Sequence, residues 1–425
     1  MNKFLLSTTA LVAASAFVAP ALSAERIQLQ LRGYNTSGIS YTDADGTESY
    51  TSFNEDGTVA WSNTYSIGDD TNEINFGSSS EIHFIGSSTL DNGLEVSFHA
   101  ELELEADVDG FDYFYQPADL IDEVYVQFDG GFGRVQFGQQ DGAMDQMAVT
   151  APLTFMGHAH SDLEDRSMDP FAPQGQRNRI NTVGDLSGDH IKLIYFTPSM
   201  NGLQLGFSYT PNPCKNDTGY AGCAFEEYAR NYWEVSGTWE ASYNNVAFAF
   251  SGGYGQGEGA YHYDDPSEWT VGGNVGFGGF TLGGSYKEAN ASREWWGVWP
   301  GQGEDNDTTA WDAGITYETG PWGFNLAYGT QDSDSSLDCT SCFRAADDSF
   351  SDASYHYDTE QESWIAGVTY KYGPGMQIGF GVQYFSYDYE TVGVGMSGGV
   401  PTGFVERATR DFDGTAVFVE NTITF

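Results

Sequence analysis

The sequence predicts an all-β fold, with sixteen antiparallel strands closed into a barrel that crosses a membrane. Three observations predict it. Seven compact turn signals recur along the 425 residues, and apolar and polar side chains alternate on both sides of each. The segments between successive turns are much longer and rich in Asp, Glu, Ser, Asn and Gly. Beyond the N-terminus there is no run of about 20 apolar residues, which excludes helical spans.

The elements follow in chain order. "MNKFLLSTTALVAASAFVAPALSA" places Lys3 before an apolar stretch and ends on small residues, the order of a secretory signal peptide cleaved after Ala24. Residues 25–425 then form one barrel domain. Its opening strand is "RIQLQLRGYNTSGISYT". The turns are "TLDNGL" near Asn92, "DGGFGR" near Gly131, "SMNGL" near Asn201, "YNNV" near Asn244, "FGGF" near Gly278, "TGPWGF" near Pro321 and "YGPGM" near Pro374. They join fourteen strands in pairs, and the closing strand "DGTAVFVENTITF" makes sixteen with the first. Short turns at one end, long loops at the other and an even strand number are the organisation of an outer-membrane barrel. Closure removes the two sheet edges, which lipid does not tolerate.

Side-chain alternation assigns the two faces. Ile27, Leu29, Leu31, Ile82, Phe84, Trp233, Val235, Trp311, Ile315, Trp364 and Tyr370 fall on the lipid face, with Trp and Tyr near strand ends. Gln28, Gln30, Arg32, Gln127, Asp129, Gln136, Ser208, Asp312 and Thr369 fall on the other. A soluble sandwich would use the same alternation, but seven tight turns in one register fit closure better. "FHAELELEAD" puts His99, Glu101, Glu103 and Glu105 on the lumen face, beside Glu81, His83 and Glu95. Sixteen Lys and Arg stand against 61 Asp and Glu, a formal net charge of -45. Nucleic acid is thereby excluded as a partner, because phosphate binding needs a basic face.

Cys214 and Cys223 form one close pair and Cys339 and Cys342 another, read as two local disulfides pinning loops. "CTSC" lies among Asp and Ser and lacks the helical context of a redox site. "GVGMSGG", Gly393 to Gly399, matches two Gly motifs but reads as a glycine-rich loop. "HAH", His158 to His160, is a weak transition-metal signal. The acidic clusters at Asp43–Gly46, Asp107–Gly110 and Glu304–Asp307 suit structural Ca2+, although none completes an EF-hand; no cofactor is required.

Three fragments in this order carry a family resemblance: "EIHFIGSSTLDNGLEVSFHAELELEA", "EVYVQFDGGFGRVQFGQQ" and "IKLIYFTPSMNGLQLGFSYTP". Together they resemble the general porins of Gram-negative outer membranes. The resemblance implies a homotrimer in outer-membrane lipid and lipopolysaccharide, and passive diffusion of small hydrophilic solutes without enzymatic activity. It also implies a long third loop, here about 140–188, folded into the barrel to narrow it. Phe425 at the end of "VENTITF" is similar to the signal that the family's barrel assembly machinery recognises. By the family's pattern the loop supplies constriction carboxylates, for which Asp141, Asp145, Asp162, Glu164, Asp165 and Asp169 are the candidates. Arg32, Arg134 and Lys192 are the facing bases by lumen parity, with Arg177 and Arg179 near the loop's return. So few bases beside so many acids imply cation preference. A sugar-selective channel using Tyr34, Phe196 or Tyr387, a barrel enzyme and a soluble acidic β-protein are the alternatives.

Overall fold

The computed structural model describes residues 26–54, 58–67, 74–104, 121–156, 180–212, 229–259, 265–290, 302–344, 350–397 and 400–425. The signal-peptide segment lies outside them. So do Glu105, Asp162, Glu164, Asp165, Asp169, Arg177, Arg179, Cys214, Cys223 and the "HAH" triplet. Cys339 and Cys342 lie on a strand whose side chains there are outside the description.

Each of the seven turn signals closes a hairpin. β3 (Ile74–Thr89) turns into β4 (Glu95–Glu103), β5 (Val124–Gly130) into β6 (Gly133–Gln139), and β7 (Ile191–Phe196) into β8 (Leu203–Thr210). β9 (Arg230–Tyr243) pairs with β10 (Val246–Glu258), and β11 (Ser267–Phe277) with β12 (Phe280–Asn290). β13 (Gln302–Thr319) pairs with β14 (Trp322–Arg344), and β15 (Phe350–Gly373) with β16 (Met376–Ser397). Asn244 and Asn245 adopt φ of 48° and 66°, the doubly left-handed pair that a tight hairpin demands.

The ring closes through β1 (Gln28–Phe53). One edge of β1 pairs with β17 (Val400–Thr424), from Tyr34↔Thr424 to Ser52↔Glu406. Its other edge pairs with β3 from Gln28↔Ser87 to Tyr41↔Ile74. Above that point β2 (Val59–Ile67) takes over the same edge, so β2 and β3 occupy one column and the barrel has sixteen. At the seam Gly33 and Phe425 exchange two backbone hydrogen bonds of 3.0 Å.

The polar segments differ from their expected character as loops. β2 was part of such a segment, Asp43–Gly46 lies inside β1, and the "GVGMSGG" segment continues β16 through Ser397. The reason is physical. A strand already in register offers free N–H and C=O groups beyond the lipid, and a wet segment of either composition can go on pairing with them. The wall is therefore tall from β13 to β1 and short at β5 to β7, where strands have six or seven residues.

Outward positions are apolar and open: Leu29 is 69% and Phe76 77% exposed. Two aromatic rows border this surface. Near the turns, Phe280 meets Tyr317 at 4.4 Å and Trp322 meets Tyr370 at 4.6 Å. Towards the other end, Trp269–Tyr286, Trp311–Tyr328 and Tyr328–Trp364 pack at 4.3–5.0 Å. Trp233 and Tyr243 border β9 ten residues apart, roughly 33 Å along the strand and about 25 Å in projection at a tilt near 40°. That is the height of a lipid-facing band with its girdles.

An arginine at Val271, on the lipid side of β11 and 48% exposed, is expected to destabilise the barrel refolded into vesicles by about 2–4 kcal/mol. Urea unfolding followed by tryptophan fluorescence measures it, and no loss would mean that this face does not meet lipid.

Candidate functional site

The described parts of the chain between β6 and β7 stay within the barrel. This segment begins with a short helix, α1 (Ala143–Gln146), and its described stretches, 140–156 and 180–190, lie against the inner wall. A loop in such a position must find partners for its backbone, and here the wall's inward side chains supply them. Along the outgoing run, Val149 N–H donates to Ser251 Oγ at 2.9 Å and Thr154 Oγ1 to Asn325 Oδ1 at 2.7 Å. Met156 N–H donates to Gln377 Oε1 at 2.8 Å, and Thr422 Oγ1 donates to the Met156 carbonyl at 3.1 Å. On the return, Asn181 N–H donates to Gln331 Oε1 at 3.2 Å and Leu186 N–H to Glu268 Oε1 at 2.6 Å.

Two wall carboxylates hold both runs at once. Asp312 accepts from Ala151 N–H (3.1 Å) on the way out and from Thr182 Oγ1 (2.8 Å) on the way back. Its remaining donors are the amide and hydroxyl of Ser285, at 2.6 and 2.7 Å. Glu234 accepts from Met144 N–H at 3.2 Å, Ser187 Oγ at 2.7 Å and Ser208 Oγ at 2.9 Å. Charge-assisted bonds of this kind are the strong ones, and four on one carboxylate offset its burial.

Apolar contacts and bare backbone complete the seat. Phe155 and Ile180 of the loop pack with Ala327, Ile365 and Phe418 of the wall, and Ala143 and Met147 with Ile194 and Phe196. Inward glycines mark its course. A Cβ at Gly253 would meet Met144, at Gly272 the Val149 carbonyl, at Gly314 the Pro152 carbonyl and at Gly367 the Phe155 ring. At Gly272 and Gly314 close approach of the loop's backbone requires glycine, and at Gly253 and Gly367 a loop side chain fills the space.

Two lysines of the lumen wall serve the same loop. Lys192, 1% exposed, donates to the carbonyls of Gln140 and Gly188, which tie the loop's two ends together. Lys287 donates to the Val183 carbonyl at 2.7 Å and lies 3.5 Å from Glu268. Lys192 was expected as a facing base of the pore wall, and it is instead a covered tie. Arg134 pairs with Asp129 at 3.0 Å beside the β5–β6 turn, and Arg32 donates to Gln30 at 3.2 Å.

The described loop bonds to wall strands from β7 to β17, and none of its described residues bonds to β1, β3 or β4. There the expected acids and histidines come together. His83 stands 3.0 Å from Glu81 and 2.8 Å from Glu101, and Glu103 lies opposite Glu81. His99 stacks on Tyr125 at 4.6 Å and shares a 3.1 Å contact with Ser97. Asp141 and Asp145 sit at the loop's root. Asp141 N–H donates to Glu123 Oε1 at 2.9 Å, and Asp145 is 8% exposed. Phe196 and Tyr387 are each 4% exposed, so neither offers a ring face to a solute, while Tyr34 donates to Glu81 at 2.9 Å.

Acids just off the strand ends feel one another. Burial, followed by the charge of Asp189, raises Asp122 from 3.8 to about 7. Burial, followed by the charge of Glu101, also pushes Glu123 up, and the Asp141 amide opposes that shift. Because the folded value at Asp122 lies above the unfolded one, its ionisation destabilises the fold progressively as pH rises from 3.8 to about 7.

The sequence reading placed Asp312 on the lumen face but missed its clamping role, and it missed Glu234, Glu268 and Lys287 altogether. Their signal was available. Each acid adjoins a lipid-facing tryptophan, Trp233, Trp269 or Trp311, which fixes its inward parity. Asp312→Ala removes four hydrogen-bond acceptances and is expected to loosen both runs by on the order of 3 kcal/mol. Single-channel recording should show larger, noisier conductance, as should Gly272→Val, and quiet channels of unchanged size would refute the clamp.

Comparison with known proteins bears on the whole chain. Residues 7–390 match a family model described as Gram-negative porin. No curated protein matches the sequence. Among solved structures, the outer membrane channel DcaP of Acinetobacter baumannii is similar with TM-score 0.50 and 13% identity, over 97% of this chain and 100% of that one. An anion-selective porin from Comamonas acidovorans gives TM-score 0.49 and 17% identity, over 94% and 100%. A trimer form of OmpT from Vibrio cholerae gives 0.47 and 12%, over 93% and 100%. At these identities the likenesses concern the fold alone.

Proposed function

The chain belongs to the Gram-negative porin family and is an outer-membrane β-barrel, and from that premise we propose that it is a cation-preferring, non-catalytic channel for passive diffusion of small hydrophilic solutes. One observation carries the preference. The wall of β3 and β4, to which no described loop residue bonds, presents Glu81, Glu101 and Glu103, whereas Lys192 and Lys287 are bonded to loop carbonyls. Of the bases near that wall, Arg134 is paired with Asp129. Negative charge in a narrow aqueous bore concentrates cations and repels anions.

The loop's candidate carboxylates belong to the same reading. Asp141 and Asp145 add their charge at the root, and Asp162, Glu164, Asp165 and Asp169 lie in the loop's middle segment. Family membership also supports assembly as a homotrimer in outer-membrane lipid and recognition of Phe425 by the assembly machinery. Export with loss of residues 1–24, and disulfides at Cys214–Cys223 and Cys339–Cys342, complete the proposal.

In planar bilayers under a KCl gradient the reversal potential is expected on the potassium side, and an anion-side value would overturn the assignment. Changing Glu101 and Glu103 together to Gln should reduce the permeability ratio several-fold. Acidification through about 7 protonates Asp122 and should weaken the preference, and Asp122→Asn should flatten that part of the profile.

A further inference from the structure

The wall of β3 and β4 carries one arrangement that passive diffusion does not require. On β3, His83 stands in register with Glu101 of β4 and Arg32 of β1, and Glu81 with Glu103 and Tyr34. His83 Nε2 lies 3.0 Å from Glu81 Oε2, and His83 Nδ1 lies 2.8 Å from Glu101 Oε1. A neutral imidazole has a single N–H, and an ionised carboxylate can only accept. With both glutamates ionised, a neutral ring satisfies one contact and leaves its other nitrogen's lone pair facing a carboxylate, an arrangement that a cation between them relieves.

We propose that Glu81, His83 and Glu101 form a site in the pore wall for a divalent transition ion of the Zn2+ class. One ligand atom from each lies within 4.8 Å of the other two. Around a tetrahedral zinc with bonds of about 2.0–2.1 Å, neighbouring ligand atoms stand about 3.4 Å apart, so side-chain adjustment alone closes the set. Three protein ligands leave the fourth position to water from the lumen. Tyr34 donates to Glu81 at 2.9 Å and fixes its orientation, as an outer-shell partner does at a metal centre. Glu103 and Asp122 converge on Glu81 and add negative charge beside the ion. The base on the adjoining strand, Arg32, is hydrogen-bonded to Gln30. A ring nitrogen among the ligands selects a borderline ion over Ca2+ or Mg2+, which take oxygen.

The site does not depend on the channel's ion preference. An anion-preferring channel would leave it standing, and a cation-preferring channel blind to zinc would sink it alone. The test titrates ZnCl2 into the purified full chain, by calorimetry in detergent and by conductance in planar bilayers. One ion per chain and a saturable fall in conductance are expected, with no such fall from MgCl2 or CaCl2 at equal concentration. His83→Gln and Glu101→Gln, each checked as a folded barrel by its heat-modifiable mobility, should abolish saturable binding. Tyr34→Phe should weaken it about tenfold. Absence of saturable binding in the wild type, or binding unchanged in either folded Gln variant, overturns the site.

Discussion

Unpaired backbone is what neither lipid nor a packed interior will accept, and each level of this barrel answers that constraint. In the wall the answer is closure, through β1 pairing with β17 on one edge and with β3 and β2 on the other. Inside, the third loop presents amides and carbonyls to the lumen wall, where further sheet pairing is impossible. Side chains take over the task. Ser251, Asn325, Gln377 and Gln331 receive the loop one residue at a time, while Asp312 and Glu234 join its two runs.

That solution also sorts the charge of the lumen. Along the described loop, Asp312 and Glu234 are enclosed by hydrogen-bond donors, and Lys192 and Lys287 bond to loop carbonyls. On β3 and β4, to which no described loop residue bonds, Glu81, Glu101 and Glu103 stand with the two histidines on the lumen face. The division follows the described course of the loop, whose backbone needs strong acceptors and donors along it.

Much of this was legible in the residues. All seven hairpin turns fall where Asn, Gly and Pro signalled them, because tight reversal between right-twisted strands demands left-handed φ and few residues tolerate it. The lipid and lumen faces of β4 and β13 follow from alternation alone. Strand length was not legible above the lipid, since a segment such as Val59–Ile67 pairs because β1 already stands beside it. Lys192 was assigned to the correct face, yet parity cannot tell an open lumen position from one beneath a loop.

By itself, then, the sequence determined that the chain would be a closed antiparallel tube with a greasy exterior and an acidic interior, because period-two patterning and turn chemistry are local properties. Only the tertiary structure decided which inward residues meet water and which meet the loop, that Asp312 and Glu234 would each clamp both of its runs, and that His83 would stand between two glutamates. Those outcomes depend on contacts between positions such as Ala151 and Asp312, far apart in the chain. No periodicity encodes which distant backbone comes to rest against a given wall position; that is fixed only when the loop folds back into the ring.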